Sequence, residues 1–231
     1  MRTVGVLGGF GPEATSEFYV SIVNKNRALN KIAHPSILIY NVPNLFRLEE
    51  AAVKTDGNLG EFLPLLLSGI KILEEKSDFI VMPCNTLHIF IEDIRKASRV
   101  PVLSILDETV GRIKKMGIRK IGILATMKTI KEKLFEEKLE ENGIETIKPD
   151  ISEQKRVSEI IHCILKGEKT EEMKTELLGI VTGLKEKGAE AVILGCTDLQ
   201  LLINQENSGV KLIDTVDVLA DSAVRILNEG G

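Results

Sequence analysis

The sequence predicts an α/β fold in which mainly parallel sheets are covered by helices. Its short apolar runs alternate with longer stretches of helical periodicity, and runs such as 79–82 are apolar without interruption. Continuous apolar runs of this length are typical of strands that are buried on both faces of a parallel sheet. The whole pattern then begins again near residue 119, which indicates two similar halves.

Each element of the first half follows from this pattern. The expected order is a strand at 4–7, a glycine-rich loop, a helix to about 29, a strand at 36–40, an amphipathic helix at 62–75, a strand at 79–82, a strand at 102–106 and a helix to 116. Pro12 stands where the first turn of the first helix begins, a position that proline favours.

An internal repeat defines the second half. Residues 2–9 resemble residues 119–126, and the strand that leads to Cys84 resembles the strand that leads to Cys196, in the same order and at nearly the same offset. Each half also closes with a strand that runs into an Asp and a Thr. We therefore predict two pseudo-symmetric three-layer domains, residues 1–106 with 214–231 and residues 107–213, and an active site in the cleft between them.

The composition limits the possible classes of function. The chain has 231 residues, of which 43% are hydrophobic and 28% charged, so it can bury an ordinary globular core. Its net charge is −4, its isoelectric point is near 5.6, and it contains no tryptophan. A nucleic-acid surface would need a basic patch and usually aromatic side chains, so we expect no nucleic-acid partner.

The cysteines and the apolar stretches bear on the compartment. Three cysteines are too few, and odd in number, for a secreted disulfide scaffold. The first residues do not resemble a signal peptide, and the most apolar stretch, 62–73, is interrupted by Pro64, Ser68, Gly69 and Lys71. We expect a cytoplasmic protein without membrane association.

Two of the cysteines occupy equivalent places in the two halves. Cys84 and Cys196 each follow a strand and precede the expected start of a helix. Ligands of open α/β sheets bind at the carboxyl ends of strands, and a helix start favours the reactive thiolate. A lone cysteine is more often a small buried hydrophobe, which fits Cys163 in the middle of a helix. The repeated context makes Cys84 and Cys196 the catalytic candidates.

Two opposed thiols suit proton transfer at a carbon acid. One thiolate removes a proton from the carbon, and the other thiol returns a proton to the opposite face, so that the stereocentre is inverted without a cofactor. The carbanion needs hydrogen-bond donors around the adjoining carboxylate. Asn85, Thr86 and Thr197, each beside a cysteine, offer side-chain donors and backbone N–H groups.

Three motifs resemble those of the aspartate/glutamate racemase superfamily, closest to its aspartate racemases. They are GGFGPEAT at 8–15, PCNTLH at 83–88 and LGCTDL at 194–199, and together they span nearly the whole chain. The resemblance implies a two-domain pseudo-symmetric fold, no pyridoxal phosphate, no metal and a homodimer. It also implies that Cys84 and Cys196 are the two bases.

The resemblance further implies that the substrate is a dicarboxylic amino acid, aspartate, whose L and D forms are interconverted. Arg47, which follows Asn41-Val42-Pro43, and Lys166 match the residues that hold the distal carboxylate. Thr126 lies in the second-half counterpart of the GGFG loop, and we expect it to be a further carboxylate contact. The sequence departs from the pattern where Asp198 replaces a frequent Glu, and a shorter carboxylate there could shift specificity. Residues expected to support the site are Gly9, Glu13, Thr15, His88 and Asp198.

Several alternatives remain open. Residues 9–14 match the G-x-G-x-x-G/A dinucleotide fingerprint, but no acid ends the second strand to bind a ribose. Cys84, His88 and Cys196 could form a zinc set, although no second His–Cys pair has ligand spacing. The same cysteines could act on glutamate, another amino acid, a hydantoin or maleate. A non-catalytic two-lobed binding protein is the remaining class, against which two opposed thiols argue.

Overall fold

The computed structural model consists of two four-stranded sheets, all of whose strand pairs are parallel. It describes residues 2–30, 32–43 and 59–229, together with 46, 48, 50 and 53. The prediction of an α/β fold with two similar halves is confirmed. Arg47 lies outside the described residues.

The first sheet has the order β2-β1-β3-β4. Its strands are β1 Thr3–Gly8, β2 Ser36–Asn41, β3 Phe79–Val81 and β4 Val102–Leu103. The two inner strands, β1 and β3, are buried almost throughout, as their continuous apolar sequence requires.

The second sheet repeats this topology with the order β6-β5-β7-β8. Its strands are β5 Lys120–Leu124, β6 Glu145–Ile147, β7 Ala191–Leu194 and β8 Leu212–Asp214. Gly5 of β1 is paired with Ile80 of β3, and Gly122 of β5 is paired with Val192 of β7. The two halves thus correspond in strand order and in register.

Helices cover both sheets. In the described part of the chain they are α1 Pro12–Leu29, α2 Phe62–Leu73, α3 Ile91–Ala97, α4 Ile105–Lys115, α5 Met127–Lys131, α6 Glu136–Glu140, α7 Ile151–Leu165, α8 Glu171–Glu186 and α9 Thr215–Asn228. Three short 3₁₀ turns, Leu59–Glu61, Thr86–Phe90 and Leu199–Leu201, accompany them. Within this part of the chain, no helix is both long and apolar enough to span a membrane.

One boundary expected from the sequence is wrong. The strand predicted at 102–106 ends at Leu103, and α4 begins at Ile105. The reason is Ser104, whose side chain caps the helix by accepting a hydrogen bond from the Asp107 N–H at 3.2 Å. The predicted division at residue 106 therefore falls in the first turn of α4, and the division at 213 falls within β8. The two domains with these boundaries stay a prediction.

A single apolar core joins the two halves. Val6 and Val81 of the first sheet belong to the same buried cluster as Ile121 and Ile193 of the second. Helices α1, α4 and α9 connect them, because α9 packs against both α1 and α4. Lys25 of α1 forms ion pairs with Asp217 at 2.8 Å and with Asp221 at 2.7 Å, both on α9. This arrangement brings the carboxyl ends of the central strands of both sheets to one cleft.

Candidate active site

The loops that follow β1, β3, β5 and β7 line a cavity of about 50 Å³. Both Cys84 and Cys196 line it, one from each half of the chain. The remaining polar lining comes from predicted substrate-binding residues and from one carboxylate, namely Asn85, Thr86, Thr126, Thr197 and Asp198. The apolar lining includes Phe10, Val53, Phe62, Leu87 and Leu165.

His88 fixes the loop that carries Cys84. The Ile105 N–H donates to His88 Nε2 at 3.1 Å, so the ring proton is on Nδ1, which donates to the Cys84 carbonyl at 2.7 Å. Burial lowers the pKa of His88 to about 4, and the ring is therefore neutral at pH 7. With both nitrogens engaged, His88 holds the Cys84 loop in place and offers no lone pair for a metal.

Cys196 is buried beside a carboxylate. Its Sγ lies 3.7 Å from Asp198 Oδ2 and donates to it. Burial, together with the negative charge of Asp198, raises the pKa of the Cys196 thiol well above its usual value. The expectation that a helix start makes Cys196 a thiolate is therefore wrong: only the 3₁₀ turn Leu199–Leu201 follows it, and desolvation outweighs so short an element.

The amide orientation of Asn85 follows from its partner across the cleft. The Thr215 hydroxyl donates its one proton to the Leu194 carbonyl at 3.1 Å, so it accepts from Asn85 Nδ2 at 3.0 Å. Asn85 is buried, and no described residue donates to its Oδ1. Asn85 can therefore present an acceptor to a ligand in the cavity, whereas the sequence suggested a donor.

Three hydroxyls form a triangle between the halves. The Oγ1 atoms of Thr86, Thr126 and Thr129 lie 3.1 Å from one another. The Thr129 N–H also donates to Thr126 Oγ1 at 3.2 Å, so Thr126 caps α5. Thr129 was not predicted from the sequence, although Ser and Thr side chains often bond to backbone groups close to them in sequence, as Thr126 does here. Thr86 and Thr126 line the cavity, so a hydroxyl proton there can turn towards a carboxylate, whereas Thr129 is fully buried.

The predicted distal cation, Lys166, is paired with a residue of this chain. Lys166 Nζ lies 3.7 Å from Glu50 Oε1, and His162 Nε2 lies 3.4 Å from the same oxygen. Lys166 follows Leu165, which lines the cavity, and Glu50 lies three residues before Val53, which also lines it. No sequence motif marks Glu50, so this ion pair was not predicted.

The loop after β1 closes one side of the cavity. Gly9 has a φ of 100°, and a Cβ there would lie 2.6 Å from the Val42 carbonyl oxygen. The Thr15 hydroxyl accepts from the Gly9 N–H at 3.3 Å and donates to the Gly11 carbonyl at 3.1 Å. Gly9 and Thr15 therefore shape the loop, while Glu13 is exposed in the first turn of α1.

Comparisons with known proteins identify the family of this chain. The model of the Asp/Glu/hydantoin racemase family matches residues 7–223. The chain belongs to this family. It is 29% identical to the broad specificity amino-acid racemase RacX of Bacillus subtilis over 226 residues, which cover 96% of each chain.

Solved structures of other family members have the same fold. The aspartate racemase of Picrophilus torridus superimposes with a TM-score of 0.83 at 26% identity, over 98% of this chain and 94% of that one. An aspartate racemase homologue from Pyrococcus horikoshii superimposes with a TM-score of 0.81, also at 26% identity, over 99% of this chain and 100% of that one. Membership of this racemase family makes the chain an isomerase.

Proposed function

We propose that this racemase-family protein interconverts the L and D forms of an amino acid by moving the Cα proton between Cys84 and Cys196. The observation that carries the proposal is that both cysteines line one cavity, each from the end of the equivalent strand in its half. We further propose that, as expected from the sequence, the reaction needs no cofactor and the protein is a homodimer.

The protonated state of Cys196 suggests the order of the two steps in one direction. In one direction the Cys84 thiolate takes the Cα proton, leaving the electron pair on carbon, and the Cys196 thiol donates its proton to the opposite face. Cys84 ends as a thiol and Cys196 as a thiolate, and the opposite enantiomer reverses both steps. Asp198 favours the protonated form of Cys196 and so the donor state that this direction needs.

Polar groups of the cavity would orient the α-substituents. The carboxylate of Asp198 and the Oδ1 acceptor of Asn85 suit the α-ammonium group. The hydroxyls of Thr86, Thr126 and Thr197 suit the α-carboxylate, whose negative charge increases in the carbanion. Orientation of this kind contributes strongly, because well-placed groups reach effective molarities of about 10⁵ M or more.

Two substrate classes follow from different observations. Aspartate is the prediction from Arg47 and Lys166, and the aspartate racemase of Picrophilus torridus supports it by similarity. Amino acids with uncharged side chains are favoured by the apolar lining residues, which include Phe10, Phe62 and Leu165. The broad specificity of the relative RacX is consistent with the second class.

The test is proton exchange and inversion in D₂O with chelator-treated protein and no added pyridoxal phosphate. We expect Cα deuteration and racemisation of at least one amino acid, and a loss of racemisation of about 100-fold or more in Cys84→Ser and in Cys196→Ser. Each variant should still exchange Cα–H slowly in one enantiomer, since one thiol remains. Cys163→Ser is the matched control and should keep the wild-type rate.

Two results would contradict the proposal. Racemisation at the wild-type rate in Cys84→Ser or in Cys196→Ser would exclude the two-base reaction. Binding of an amino acid without any exchange in the wild type would instead favour the two-lobed binding protein.

A further inference from the structure

We infer that Glu50 determines substrate specificity: it forms an ion pair with Lys166, one of the two cations expected to hold a distal carboxylate, and so directs the site towards amino acids with uncharged side chains. This inference rests on the proposed racemase function and names its substrate class.

Glu50, His162 and Lys166 lie together and form the Glu50–His162–Lys166 cluster. Oε1 of Glu50 lies 3.7 Å from the Lys166 ammonium and 3.4 Å from His162 Nε2, so one oxygen faces both groups. The side chain of His162 is 8% exposed, that of Glu50 32% and that of Lys166 41%. The cluster thus extends from a buried residue of α7 to the surface at the end of that helix.

The negative charge of Glu50 opposes the binding of a substrate carboxylate at Lys166. A substrate carboxylate that approaches Lys166 must displace Glu50 or accept its repulsion at short range. Asp198 already places one carboxylate in the cavity, where it suits the ammonium that every α-amino acid carries. A second substrate carboxylate therefore finds a cation whose charge Glu50 already balances.

Apolar residues near this cluster in sequence line the cavity that contains both cysteines. Leu165 on α7 and Val53, near Glu50 in sequence, both line the cavity, and Phe10 and Phe62 line it as well. An uncharged side chain gains free energy by burial against such groups, whereas a carboxylate loses hydration there. The apolar lining of the cavity and the pairing of Lys166 with Glu50 both favour amino acids with uncharged side chains.

The experiment compares kcat/KM for aspartate, its uncharged isostere asparagine and the apolar 2-aminobutyrate. In the wild type we expect aspartate to be the poorest of the three. Glu50→Gln should raise the aspartate-to-asparagine ratio about threefold to tenfold, the range of a partly exposed ion pair. Adding Lys166→Met to Glu50→Gln should cancel that gain, since the freed cation is then removed.

Controls separate a local effect from a general change in charge or folding. Glu168→Gln removes the same charge from an exposed residue two positions beyond Lys166, and it should leave the ratio unchanged. Circular dichroism of each variant verifies the fold, which the isosteric Gln should preserve.

Three outcomes would overturn the inference. The first is an unchanged aspartate-to-asparagine ratio in Glu50→Gln while the wild type racemises other amino acids, and the proposed function would survive it. The second is a wild-type preference for lysine that Glu50→Gln abolishes, because Glu50 would then bind the substrate itself. The third is an absence of exchange with every amino acid, which would overturn the proposed function as well.

Discussion

At the scale of single residues, the two cysteines differ in their surroundings although they occupy equivalent positions. The Cys84 loop is fixed by a neutral histidine, whereas Cys196 donates to the Asp198 carboxylate. Repulsion between that carboxylate and a thiolate keeps the pKa of Cys196 high, in addition to the effect of burial. Cys196 therefore keeps its proton because of its burial and the neighbouring Asp198.

This asymmetry gives a prediction for Asp198→Asn. The substitution removes the negative charge but keeps the shape, so the pKa of Cys196 should fall towards its usual value. The measurement is the pH dependence of alkylation by iodoacetamide in a Cys84→Ser, Cys163→Ser background, in which Cys196 is the remaining thiol. Asp150→Asn on the exposed start of α7 serves as the control. An equal pKa with and without the Asp198 charge would mean that burial alone raises it.

At the scale of elements, the close packing of α2 on the first sheet depends on a glycine. Gly69 of α2 is buried against the sheet, and a Cβ there would come too close to Leu7 Cδ1 and would lie 3.2 Å from Val42 Cγ2. Gly179 of α8 is exposed, and a Cβ there would meet nothing within 4 Å. Glycine therefore allows close packing at position 69 of α2, whereas at position 179 it only lowers the stability of α8.

We predict opposite effects of alanine at these two positions. Gly179→Ala should raise the free energy of unfolding by about 1 kcal/mol, because alanine reduces the entropy of the unfolded chain and favours the helix. Gly69→Ala should lower it by about 1–3 kcal/mol through overpacking. Urea unfolding of both variants beside the wild type checks this. A stabilised Gly69→Ala would mean that Leu7 moves without cost.

Local sequence patterns predicted the elements well where burial alone decides the structure. The inner strands and α1 were predicted nearly to the residue because apolar runs and Pro12 mark them directly. The end of β4 was missed because Val102 to Leu106 is apolar apart from Ser104, and a serine cap outweighs that pattern.

The candidate site was predicted less completely, for a physical reason. Cys84 and Cys196 could be found because the repeat brings them to equivalent strand ends. The high pKa of Cys196 depends on burial by residues distant in sequence, and the Glu50–Lys166 pair joins segments more than a hundred positions apart. Such tertiary effects leave no periodic or local signal.

At the scale of the whole molecule, one buried cluster contains residues of both sheets. Residues from both sheets and from α1, α4 and α9 form one buried cluster, and the Arg112–Asp221 ion pair at 2.5 Å joins α4 to α9. Exposing one half would therefore expose apolar surface of the other.

We predict that both halves unfold in a single transition. The chain has no tryptophan and only two tyrosines, Tyr19 and Tyr40, both in the first half, so tyrosine fluorescence reports on that half alone. Far-ultraviolet circular dichroism reports on both. The two urea transitions should coincide, and an earlier or later tyrosine transition would show that the halves unfold separately.

The matched strand orders of the two sheets have an evolutionary consequence. A chain with two copies of one topology is readily derived by duplication and fusion of a gene for a single half. Before fusion, a dimer of two identical subunits would have placed the same cysteine on both sides of its cleft. The L and D forms of a substrate would then have met equivalent walls of that cleft. Fusion freed each wall to diverge, so that under the proposed reaction Asp198 can tune Cys196 separately from Cys84 while the equilibrium between the enantiomers stays at unity.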